Sequence, residues 1–111
     1  LFVTSIGFDL SCYDMFGSLA AGSQIRIAPP KATPRQLFEL LQSERITFWD
    51  SAPAVLQQLQ DELASLNPDD RSLDSLRLVF MSGDWVPLPL VSLLHKVAPK
   101  TQVVALGGAT E

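Results

Sequence analysis

The chain has 111 residues, 47% of them apolar, a net charge of −4 and a single cysteine. That is the length of one small domain, with apolar material enough for a core. The negative balance argues against a protein that grips nucleic acid by its phosphates, and lone Cys12 rules out an internal disulfide and reads as a buried thiol in a reduced, cytoplasmic protein.

Residues 1–5 read as the end of a strand. Across 11–21, Tyr13, Phe16, Leu19 and Ala20 share one helical face. Ser11 is the expected N-cap, with Asp14 three residues on, and Gly22 the expected stop. A short strand over 24–28 is closed by Pro29 and Pro30. Thr33 and Pro34 then open a second helix, a cap followed by proline at the first helical position, with Leu37, Leu40 and Leu41 at helical spacing. Residues 46–49 read as a strand. Pro53 opens a third helix with Val55, Leu56, Leu59 and Leu63 on one stripe. Residues 67–70 are a turn, and 76–81 a strand that ends at Ser82, Gly83 and Asp84. A short helix over 89–97 and a last strand over 102–106 complete the pattern.

This alternation of strands and helices is that of an α/β fold: four βα-type units in one layered domain without an internal linker. Trp49, Phe38 and Leu41 are expected in the core, and His95 and Lys96 on a solvated helix face. Arg26, Arg45 and Arg77 show no clustering suited to a triphosphate. No apolar run reaches the roughly 18 residues that a membrane span needs.

Ligands of open α/β sheets sit beyond the carboxyl ends of the strands. Three polar or glycine clusters are expected there: Asp50 with Ser51, Ser82 to Asp84, and Gly107 to Glu111. In the last, Gly107 and Gly108 let backbone amides come close to a ligand, and the Thr110 hydroxyl and Glu111 carboxylate follow. Such a set suits a phosphate and its magnesium ion. The chain begins at Leu1 and stops within this motif, so it reads as a piece of a longer protein, truncated at both ends.

Phe8-Asp9-Leu10-Ser11, then Ser82-Gly83-Asp84, then Gly107-Gly108-Ala109-Thr110-Glu111 follow one another over essentially the whole chain. Together they resemble the adenylation domain of nonribosomal peptide synthetases, within the adenylate-forming (AMP-dependent synthetase and ligase) superfamily. The resemblance implies a part of the large N-terminal layered subdomain of such an enzyme. It implies activation of an amino acid by ATP with Mg2+, giving an aminoacyl adenylate and pyrophosphate. The acyl group then passes to phosphopantetheine on a peptidyl carrier domain, beside condensation or cyclisation domains, with no role for nucleic acid or membrane.

Residue by residue, the resemblance implies that Asp9 pairs with the substrate ammonium group. Leu10, Tyr13, Asp50, Phe80, Ser82 and Leu106 would line the amino-acid pocket. Gly83, Gly107, Gly108 and Thr110 would lie along the nucleotide, and Glu111 on magnesium. Gly107 stands where many relatives stack adenine on an aromatic ring, and Ala109 where they carry proline. This variant, with Trp85, is similar to cyclisation-associated, cysteine-activating domains. Asp50 and Phe80 depart from the cysteine-type pocket, which usually has asparagine and a smaller aliphatic there. A small or polar amino acid is expected, cysteine first and serine second. An acyl-CoA or aryl-acid ligase, or a non-catalytic remnant, is the alternative; the ammonium partner Asp9 distinguishes the first of these. The stretch alone is expected to be inactive, since the family's phosphate loop, hinge and catalytic lysine lie outside it.

Overall fold

The computed structural model describes residues 1–107. Its first helix, α1, starts at Leu10–Cys12, passes through a π turn at Tyr13–Gly17 and finishes at Ser18–Ala20. Then come α2 (Pro34–Ser43), β1 (Phe48–Ser51), α3 (Pro53–Ser65), a 3-10 turn (Pro68–Arg71), β2 (Leu78–Met81), α4 (Leu88–Val97) and β3 (Gln102–Ala105). The strands are parallel in the order β1-β2-β3, with Phe48, Leu78 and Gln102 in one row and Asp50, Phe80 and Val104 in another. Each parallel step needs a crossover, and α3 and α4 supply the two. The N-terminal segment runs alongside β1: Phe2 bridges in parallel to both Asp50 and Ile27. The strands expected over 1–5 and 24–28 are thus reduced to single bridges, held by Phe2 N–H to Arg26 O at 2.8 Å and Ala28 N–H to Phe2 O at 3.0 Å.

The start of α2 follows directly from its sequence. Thr33 Oγ1 accepts from Gln36 N–H while Gln36 Oε1 accepts from Thr33 N–H, and Pro34 gives up no donor in the first turn. One face of α2 buries Leu37, Phe38 and Leu41. Leu56, Leu59 and Leu63 of α3 and Leu90, Leu94 and Val97 of α4 meet that layer, as the spacing of the leucines requires. Arg35 ties α2 to α3 through Glu62 at 3.0 Å, besides its bond to Glu39 at 2.8 Å.

Beneath these helices lies the inner face of the sheet: Trp49, Val79 and Met81, all 0% exposed. Trp49 Nε1 donates to Ser51 Oγ at 2.6 Å, so the one polar atom of this large side chain is satisfied. β1 starts two residues later than the apolar run suggests, because Ile46 N–H is still tied back to Leu41 O at 3.1 Å. β2 likewise starts at Leu78, since Leu76 closes a turn onto Leu73 and its carbonyl takes the Thr101 hydroxyl at 2.6 Å.

Two expectations for α1 fail. Its N-cap is Asp9, whose Oδ1 accepts from Leu10 N–H at 2.9 Å, and Ser11 is buried with its hydroxyl donating to Ile6 O. The apolar face of Tyr13, Phe16 and Leu19 is exposed, and so is the Cys12 thiol. Trp85 is 85% exposed. Among the described residues no helix is long and apolar enough to cross a membrane.

Candidate functional site

Strand pleating sends alternate residues to opposite faces. Trp49, Ser51, Val79 and Met81 enter the helical core, so Phe48, Asp50, Leu78 and Phe80 project to the other side, where α1 lies against them. Three rings make that contact. Phe48 and Phe80 meet edge to face with centroids 5.2 Å apart. Tyr13 packs on Phe80 at 5.7 Å and on Phe48 at 6.2 Å. Offset and edge contacts of this kind suit the charge distribution of aromatic rings. Tyr13 belongs to the π turn, a helix irregularity that recurs at functional sites. Gly17, at the end of that turn, leaves room for the ring: a Cβ there would stand 3.2 Å from Tyr13 Cδ2 and Cε2.

Next to the rings are two carboxyl groups, Asp14 from α1 and Asp50 from β1, 4% and 1% exposed. None of their four oxygens accepts a bond from a fixed donor. They lie within hydrogen-bonding reach of each other, and Asp14 also within reach of the Thr4 side chain. Two carboxylates have no proton to offer, whereas one shared proton makes the pair a donor and an acceptor. Burial pushes the Asp50 carboxyl up to about 7, and the charge of Asp14 and the bond to it push in the same direction. Asp14 is raised as well, by burial, against the opposing pull of Thr4, Asp50 and the Leu1 amino group.

At the carboxyl ends of the strands, Ser82 N–H donates to Ser51 O at 3.3 Å and Leu106 N–H to Met81 O at 2.8 Å, which keeps the three strand exits in step. Gly83 has a φ of +80°, a left-handed value that favours glycine, and a Cβ there would meet nothing within 4 Å. Gly107 is likewise open and exposed. Asp9 is exposed at the start of α1, one turn before Tyr13, and its neighbour Phe8 is exposed too. Leu10 is half-buried. Asp50 and Ser51 belong to β1 itself and not to the loop beyond it. Gly108, Ala109, Thr110 and Glu111 lie outside the described residues. Among the described residues, no group of three or more His, Cys, Asp and Glu side chains could hold a metal ion.

The structure therefore joins Tyr13 to Phe80 by ring contact, aligns Asp50 with Phe80 by register, and sets Ser82, Gly83, Leu106 and Gly107 at adjacent strand exits. Sequence reasoning missed Phe48, the third ring, and above all Asp14, which it took for part of a cap. The available signal was a carboxylate inside the otherwise apolar stretch from Tyr13 to Phe16. It also missed that Arg26, Arg45 and Arg77 line one cavity of about 710 Å³, with Tyr13, Asp14 and Phe48 in its wall. This cavity opens at the amino ends of the strands, and Arg26 is already paired with Glu44 at 2.5 Å. The site is placed at the opposite ends, where Ser82, Gly83 and Gly107 stand and where α/β sheets hold their ligands.

Residues 1–111 match the family described as AMP-binding enzyme. The chain is 39% identical over 109 residues to bacitracin synthase 1 of Bacillus licheniformis, covering 98% of this chain and 2% of the relative. It is 41% identical over 111 residues to pyochelin synthetase PchF of Pseudomonas aeruginosa, covering 98% and 6%. Among solved structures, it is similar to the nonribosomal peptide synthetase FmoA3 bound to α-methyl-L-serine-AMP, with a TM-score of 0.90, 44% identity and coverage of 100% of this chain and 12% of the other. The AMPPNP-bound form of FmoA3 gives a TM-score of 0.88 at 42% identity, covering 98% and 12%. The chain thus spans only a small part of the length of the relatives it matches. The resemblance to adenylation domains of peptide synthetases, and the fold it implied, are borne out.

Proposed function

The chain belongs to the AMP-binding enzyme family, and from that premise we propose that it forms the amino-acid pocket of an ATP-dependent, AMP-forming adenylation domain in nonribosomal peptide synthesis. The observation that carries this reading is the gathering of Tyr13, Asp50 and Phe80 between α1 and the outer face of the sheet, below the exits that carry Ser82, Gly83, Leu106 and Gly107. In this reading Asp9 holds the substrate ammonium at the start of α1. Leu10, Tyr13, Asp50, Phe80, Ser82 and Leu106 surround the side chain. The substrate carboxylate attacks the α-phosphate of ATP and pyrophosphate leaves; the thiol of a carrier's phosphopantetheine then takes the acyl group from the adenylate, and AMP is released.

The protein's share of this chemistry is positioning and charge complementarity. The open backbone at Gly83 and Gly107 suits close approach by a nucleotide, with the Thr110 hydroxyl on the AMP phosphate and Glu111 on magnesium. Phe80 narrows the proposed pocket, which favours a small side chain, and the buried carboxyl at Asp50 favours a polar one. Cysteine is the first expectation and serine the second; the α-methyl-L-serine adenylate bound to the similar FmoA3 supports a small polar residue. The carrier and the condensation or cyclisation domains are the expected partners in the longer protein.

The test is ATP–pyrophosphate exchange by the intact adenylation domain across a panel of amino, aryl and fatty acids. Exchange is expected with small polar amino acids, and loss of it in Asp9→Ala. Unchanged exchange in that variant removes the ammonium assignment, and exchange driven only by aryl or fatty acids replaces the substrate class.

A further inference from the structure

The buried carboxyl pair has a consequence that rests on the amino-acid reading of the site. We infer that Asp14 is a positioning residue for substrate selection: buried against Asp50 without a fixed donor, it makes the two carboxyls share one proton, so that Asp50 meets the substrate as a neutral group.

Asp50 shares a row of the sheet with Phe80, and Tyr13, the residue before Asp14, packs on Phe80. Asp14 therefore approaches Asp50 from α1 at the same level as the ring cluster. Thr4 has the hydroxyl beside Asp14, but its proton goes to the main-chain oxygen of Asp50 at 3.2 Å. From the N-terminal segment, the charged group acting on Asp14 is the Leu1 amino group, which donates to Phe48 O at 2.7 Å. A peptide nitrogen at that place would carry no charge, and the pair would hold its proton more tightly. From β2 the neighbour is the uncharged Phe80. Arg26, Arg45 and Arg77 line the cavity that Asp14 borders, with Arg26 paired to Glu44, but burial outweighs the cationic pull on Asp14, and like charges this close share one proton, so the pair carries a single negative charge.

The charge decides selectivity. In the shared-proton state the Asp50 hydroxyl is directed at Asp14, and its second oxygen is an acceptor for a hydroxyl or thiol of the substrate. An ionised Asp50 would draw a cationic side chain instead. Asp14 thus sets the chemical preference of the pocket through Asp50.

The experiment uses the intact adenylation domain and the variants Asp14→Asn, Asp14→Glu and Asp50→Asn. Infrared difference spectra across pH 7 should show a protonated carboxyl band in the wild type that disappears as the pH rises. The band should be absent at neutral pH from Asp14→Asn, whose amide donates to an ionised Asp50, absent from Asp50→Asn, and retained by Asp14→Glu. In parallel, Asp14→Asn, which moves the single negative charge onto Asp50, should shift the ratio of kcat/KM for diaminobutyrate to that for serine about tenfold towards diaminobutyrate. No protonated carboxyl near neutral pH in the wild type, or a band and a substrate preference unmoved by Asp14→Asn, overturns the inference and leaves the proposed function standing. Absence of exchange with every amino acid in the wild type overturns the proposed function.

Discussion

The two faces of the sheet follow opposite rules. On one, Trp49, Val79 and Met81 are sealed under α2, α3 and α4, and the one polar atom of Trp49 finds a partner in Ser51. On the other, α1 covers part of the surface, Val104 is exposed, Phe48 and Phe80 are half-buried, and two carboxyl groups are buried without fixed donors. The first face obeys close packing and polar satisfaction, which make a stable core. The second breaks the polar rule at Asp14 and Asp50, and such departures gather where a protein handles ligands.

Substitutions in the domain that carries this chain test that contrast. The largest effect is expected from Trp49→Ala on the sealed face, a loss of about 3–5 kcal/mol of unfolding free energy, read by denaturant titration; a loss near zero would dissolve the contrast. Next comes Asp50→Asn. The wild-type carboxyl is raised on folding from 3.8 to about 7, so its contribution to stability is complete below the lower value and falls away as the pH rises through the upper one. The slope of this term is at most about 1.4 kcal/mol per pH unit. Thermal unfolding of the variant should lose that fall between the two values, and a profile parallel to the wild type would show that the carboxyl is not raised. Smallest is Phe80→Ala, expected to cost about 1–2 kcal/mol because the ring is half-buried, while admitting larger amino acids in the exchange assay. A stability loss equal to that of Trp49→Ala would make the two faces alike.

The sealed face was largely legible in the sequence. Thr33 and Pro34 announce α2, and the leucines of α2 to α4 repeat at the helical period, because local propensity and burial agree there. Strand starts were less legible: Ile46 and Leu76 are apolar, yet their backbones are engaged in turns. The outer face was legible only through family resemblance, which pointed to Tyr13, Asp50, Phe80 and Ser82. Asp14 escaped because its burial depends on a partner thirty-six residues away (50 minus 14) that no local pattern links to it. The exposed Phe16 and Leu19 escaped for a related reason, since periodicity identifies an apolar face but not whether anything covers it.

Gly17 touches no ligand in this scheme, yet it sits directly behind the Tyr13 ring. A methyl group there would stand 3.2 Å from two atoms of the ring, so the ring must give way by a few tenths of an ångström. Position 17 is thereby an adjusting screw for where the Tyr13 ring stands, reached from behind it while every side chain named for the site keeps its chemistry.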